Sequence, residues 1–94
     1  MDFRDSVLTG EQIRAGRAIA RLEQAELARV SGVSLKTIKR LESMCGHVEA
    51  NTRTVMAISD AFRELGVGFD LRFGDGPGVR LLRDPAIAAE REVA

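Results

Sequence analysis

Arg29, Lys36, Lys39 and Arg40 fall within residues 29–41, thirteen positions that contain no acid. The whole chain is formally neutral, with 14 Lys+Arg against 14 Asp+Glu, so these cations are gathered rather than scattered. A neutral total gives no global pull toward a polyanion. Binding of that kind has to come from a local patch such as this one. Arginine and lysine on one helix face can donate hydrogen bonds to phosphate oxygens and to guanine O6 and N7. Several of the balancing acids (Asp2, Asp5, Asp84, Glu90, Glu92) stand toward the ends of the chain.

The remaining chemistry-bearing residues form no constellation. Cys45 and His47 are the single cysteine and the single histidine. One of each cannot complete a tetrahedral metal site in one chain. Gly74–Gly78 is glycine-rich, but it lacks the Lys-Ser/Thr pair and the following helix of a phosphate loop. No carboxylate pair and no Ser–His or Cys–His arrangement is legible. The expectation is a protein that is not an enzyme and needs no metal and no cofactor. A lone cysteine also forms no internal disulfide, which fits a reducing, cytoplasmic setting. The start "MDFRDSVLTG" lacks the apolar run of a signal peptide, and no apolar run reaches the ~18 residues of a membrane span.

At 94 residues, 45% hydrophobic and 30% charged, the chain predicts one small globular unit. Residues 1–8 read as an arm. Thr9–Gln12 matches a capping box, in which the Thr9 hydroxyl accepts from the Gln12 N–H and Gln12 answers back. A first helix then runs to about Arg21. Gln24–Ser31 predicts a second helix and Leu35–Met44 a third, with Cys45–Ala50 irregular. Asn51 or Thr52 caps a fourth, in which Val55, Ile58, Phe62 and Leu65 recur at helical spacing before Gly66 ends it. The period then changes to two. Val67, Phe69, Leu71 and Phe73 alternate with Gly68, Asp70 and Arg72 as a strand, residues 74–78 turn, and 79–83 return. Residues 84–94 predict a short helix or a tail.

The core of the second and third helices is "QAELARVSGVSLKTIKRLE", Gln24 to Glu42. Ala28 lets two helix backbones approach, and Gly32 accepts the positive φ that ends the first of them. Ser34 can cap the next helix. Val33, Ile38 and Leu41 fill the inner face, which leaves Lys36 and Arg40 together on the outer one with Lys39 beside them.

This pattern, Q-x-E-L-A-x-x-x-G-V-S-x-x-T-I-x-x-L-E, resembles the helix-turn-helix of the phage repressor/Cro type, the XRE family, over about Thr9 to Leu65. The resemblance implies a mainly α, lambda-repressor-like DNA-binding domain of four to five helices within residues 1–66. The third helix would be the recognition helix, and a dimer would bind a palindromic operator in double-stranded DNA and regulate transcription. By position, it implies that Gln24 touches a phosphate at the N-terminus of the second helix. Leu35, Lys36 and Arg40 would face base edges, and Ser34, Thr37 and Lys39 backbone or bases. It also implies an ion pair between Arg17 and Glu42. An acid at a helix C-terminus opposes the dipole, which independently asks for a nearby cation.

The chain departs from the family pattern in places. Glu23 stands where Ser, Thr or Asn usually caps the second helix, and it puts an anion beside the expected phosphate. Met44 replaces a usual glycine, and the loop "SMCGHVEAN" supplies no Lys or Arg. Leu35 is apolar where a polar base reader is frequent, so a thymine methyl is its expected contact.

The segment 67–83 predicts a β-hairpin. A lone hairpin is marginal in water, so it must pack on the helices, on a second copy or on another protein. The expectation is a homodimer face formed by Val67, Phe69, Leu71, Phe73, Val79 and Leu81. Two alternatives stay open. One is an antitoxin-type module that binds both its operator and a toxin, and the other is a protein-binding adaptor on the same fold.

Overall fold

The computed structural model describes residues 8–70 and 78–82. Along them run α1 (Gly10–Ala20), α2 (Gln24–Ser31), α3 (Leu35–Glu42), α4 (Thr52–Glu64), β1 (Val67–Asp70) and β2 (Gly78–Leu81). The protein is mainly helical with a two-stranded antiparallel hairpin, in which Val67 pairs with Leu81 and Phe69 with Val79. Expectations for residues 1–7, for Leu71 and Phe73, and for the segment 84–94 lie outside the described residues.

Local chemistry sets the helix ends. The Thr9 hydroxyl accepts from the Gln12 N–H at 3.0 Å, and the Gln12 side-chain oxygen accepts from the Thr9 N–H at 2.9 Å, the reciprocal capping box expected there. Asn51 caps α4 by accepting from Thr54 N–H at 2.8 Å. The helix α3 is shorter than expected. It stops at Glu42, because the N–H groups of Ser43 and Met44 bond back in tight turns to Arg40 and Leu41.

The apolar periodicities converge on one core. Leu8, Ile13, Leu27, Ile38, Leu41 and Phe62 are fully buried. Leu8 corrects the expectation of an arm over residues 1–8. It belongs to the core, and its carbonyl accepts from Val48 N–H at 2.9 Å. That bond starts a seam between the entry to α1 and the loop after α3. Gly10 N–H donates to Gly46 O at 3.1 Å, and Gly46 N–H donates to the Glu11 carboxylate at 3.0 Å. Glu11's own backbone N–H and then that of Gly46 hold its carboxyl below the usual range, with Arg14 adding to the effect. A lowered folded pKa places this tie's contribution above the ordinary carboxylate range, and it is lost as pH falls through the lowered value.

The hairpin is part of this core, which corrects the expectation for two residues of the dimer face. Val67 is only 1% exposed, and Phe69 is half-buried with its ring edge-on to Phe62, centroids 5.1 Å apart. These two side chains pack against α1 and α4 of their own chain and so are not free for a second copy. Gln12 Nε2 donates to Gly78 O at 3.1 Å, and Leu82 N–H to Gly66 O at 2.7 Å, which ties the strands down at both ends. Val79 is half-buried, while Leu81 stays 44% exposed.

Gly10 is where α1 touches the end of α3. A Cβ there would overlap the carbonyl oxygens of Met44 and Leu41, the latter at 2.8 Å. Backbone cannot give way as a flexible side chain does. Gly10→Ala should therefore destabilise the fold by about 1–3 kcal/mol in a denaturant titration. An unchanged midpoint would mean that the α1–α3 approach is looser than described.

Candidate nucleic-acid interface

The candidate site is built on α2, a tight turn and α3. Gly32 ends α2 with φ 75°, in the left-handed region where a side chain is strained. Its N–H still closes the helix on Ala28 O at 2.9 Å. Ser34 then starts α3 by accepting from Thr37 N–H at 3.1 Å, and its hydroxyl donates to Thr37 Oγ1 at 3.0 Å. Ile38 and Leu41 turn inward and are fully buried. Helical geometry then sends Lys36, Lys39 and Arg40 outward, and all three are exposed. Leu35 is 36% exposed at the start of the same helix.

Among the described residues, no carboxylate pairs with Lys36 or Lys39. Arg40 differs, because its Nη1 donates to the Glu49 carbonyl at 3.2 Å and so rests against the α3–α4 loop. Thr37 is half-buried and already engaged by Ser34, so these two hydroxyls shape the helix start and are less free than the cations. Gln24, Leu35 and Lys39 line one depression of about 340 Å³, together with Arg17, Glu23 and Ala25. The N-terminus of α2 and the outer part of α3 therefore border the same concavity. A cationic face next to helix N–H groups is suited to phosphate oxygens.

Glu42 fixes the orientation of α3. It is 4% exposed, and its carboxylate takes two hydrogen bonds from Arg17, Nε to Oε2 at 2.6 Å and Nη2 to Oε1 at 2.9 Å. Arg17 Nη1 also donates to Leu22 O at 2.8 Å, so one guanidinium joins α1, the α1–α2 turn and α3. The hydrogen bonds it donates to Glu42, and that carboxylate's charge, raise the pKa of Arg17 against the opposing effect of burial, and Glu23 adds a smaller attraction. Arg14 donates to the Glu42 carbonyl, which places a second cation at the C-terminus of α3.

Sequence reasoning found the Arg17–Glu42 pair but missed two supporting contacts. Arg14 lies one turn before Arg17 on α1, a spacing that puts both on one face. Glu26 stands three residues after Glu23, the spacing of a capping box, and its carboxylate accepts from Glu23 N–H at 3.0 Å. The poor cap at Glu23 is thus partly offset from within α2. Glu23 also adds a small attraction to Arg17.

No protein-family model matches the chain, and no curated protein matches it. Among the described residues, no helix is long and apolar enough to cross a membrane.

Glu42→Ala should strand Arg17 and leave Arg14 facing a weakened helix end. Breaking a fully buried pair costs about 3–5 kcal/mol. Arg17 keeps 23% side-chain exposure, so the lower end of that range is expected. In a double-mutant cycle with Arg17→Ala, the coupling should exceed about 1 kcal/mol. Additive losses would show that the two side chains act independently.

Proposed function

We propose that the protein is a sequence-specific DNA-binding transcriptional regulator of the XRE type, with α3 as its recognition helix. The observation that carries this reading is the outer face of α3. Lys36 and Lys39 are exposed without a carboxylate partner among the described residues, on a helix whose other side is buried and locked by Glu42. A solvated basic face needs no such rigid mounting, whereas a helix that enters a major groove does.

The roles follow from position. Lys36 and Arg40 lie one turn apart and reach base edges. Arg40 exchanges the Glu49 carbonyl for a base or phosphate acceptor as it binds. Leu35 meets a thymine methyl. Gln24 and Lys39, which border one depression, hold a phosphate at the groove edge. One short helix reads only a few base pairs, which is weak specificity against a genome. The protein therefore acts as a dimer on half-sites about 34 Å apart or a multiple of that. With Val67 and Phe69 committed to the core, the end of β2, where Leu81 and Leu82 are 44% and 45% exposed, is an apolar surface that remains for a second copy.

The test is selection of bound sequences from a random duplex library, followed by titration of the selected site. Arg40→Ala should cost about 1–3 kcal/mol on that site and relax the preference at one or two base pairs. Equal losses on selected and random DNA would make Arg40 a phosphate contact. Failure of the parent chain to enrich any sequence or to bind duplex at low salt would favour a protein-binding adaptor instead.

A further inference from the structure

We infer that Arg21 is a DNA-backbone contact on the flank of this interface. The inference rests on the DNA-binding reading above. Arg21 closes α1 with φ 58° and ψ 46°, the left-handed conformation in which a side chain crowds its own backbone. It is the one non-glycine residue with positive φ among the described residues. At the other such positions, 32, 46 and 66, the chain places glycine. Among the described residues, only the backbone of Arg21 makes a contact, its N–H closing α1 on Ala18 O at 3.3 Å. Its side chain is exposed and has no partner among the described residues. The conformation favours glycine, and no described residue uses the guanidinium, which leaves that cation available to an external acceptor.

The location fits a phosphate. The next residue, Leu22, is held at both its backbone N–H and its carbonyl. Its N–H donates to Arg17 O at 3.0 Å, and its carbonyl accepts from Arg17 Nη1 at 2.8 Å. Glu23 N–H is held in turn by Glu26. Arg21 therefore projects from a rigid turn that leads directly into the N-terminus of α2, where Gln24 and Lys39 line one depression. The occupant that suits a cation mounted there is a phosphodiester beside the groove that α3 enters. Its contact would be insensitive to base sequence.

The experiment compares the full-length parent with Arg21→Gly, Arg21→Asn and Arg21→Lys. It measures melting temperature, together with affinity for the selected site and for random duplex across a salt series. Glycine and asparagine relieve the left-handed strain and should raise Tm by about 2–6 °C. Both should weaken binding about 3–10-fold on selected and random duplex alike, and lower the salt-dependence slope by about one per protomer. Lysine should keep the parental slope. Opposite signs in stability and affinity are the signature of the proposed role. A higher Tm with unchanged affinity and slope would make Arg21 only a helix end and overturn it. A lower Tm would also overturn it, since the side chain would then support the fold. A parent that binds no duplex would remove the DNA reading and this inference together. A parent that binds no better than the glycine variant would remove this inference alone.

Discussion

The structure turns on one buried carboxylate. Glu42 sits at the C-terminal end of α3, where the helix dipole disfavours an acid, and it is almost wholly removed from water. A buried charge without partners is expensive. Arg17 answers the carboxylate with a bidentate contact, and Arg14 answers the backbone carbonyl. Both arginines come from α1. The end of α3 is therefore fixed to the first helix, and the rotation of α3 about its axis is set. That rotation decides which side chains point outward.

The rest of the molecule supports this arrangement. The capping box at Thr9 starts α1 in register, and the close approach at Gly10 brings its first turn against the end of α3. Backbone bonds from Leu8 and Gly10 to the segment 46–48 hold the loop that follows, on which Arg40 rests. The hairpin covers the far side of α1 and α4 with Val67 and Phe69. Cations on α3 and the turn carrying Arg21 stay outside this packing. The division is physical: groups that the core can satisfy are buried, while Lys36, Lys39 and Arg21 stay exposed without a side-chain partner among the described residues.

Much of this was legible in the sequence, because it rests on local rules. Thr9 with Gln12, Ser34 before α3, Gly32 after α2 and the spacing of Ile38 and Leu41 each follow from capping or periodicity. The Arg17–Glu42 pair was implied by the family resemblance; the acid at a helix end by itself asks only for some nearby cation. What escaped depends on tertiary approach. The alternation of Val67 and Phe69 shows that one face of a strand is buried, but not against what, so a second copy and the protein's own helices read alike. Leu8 looked like an arm because its only marker is a bond to Val48, forty residues away. Arg21 was invisible because nothing in a sequence announces a left-handed arginine.

The most direct measurement of the central claim is amide chemical-shift mapping of the full-length protein on titration with a selected duplex. The account predicts shifts concentrated at Arg21 to Gln24 and along Ser34 to Arg40, with Val55, Ile58 and the hairpin residues Val67 and Phe69 nearly unmoved. Shifts centred on the hairpin or on α4, with α3 silent, would contradict it.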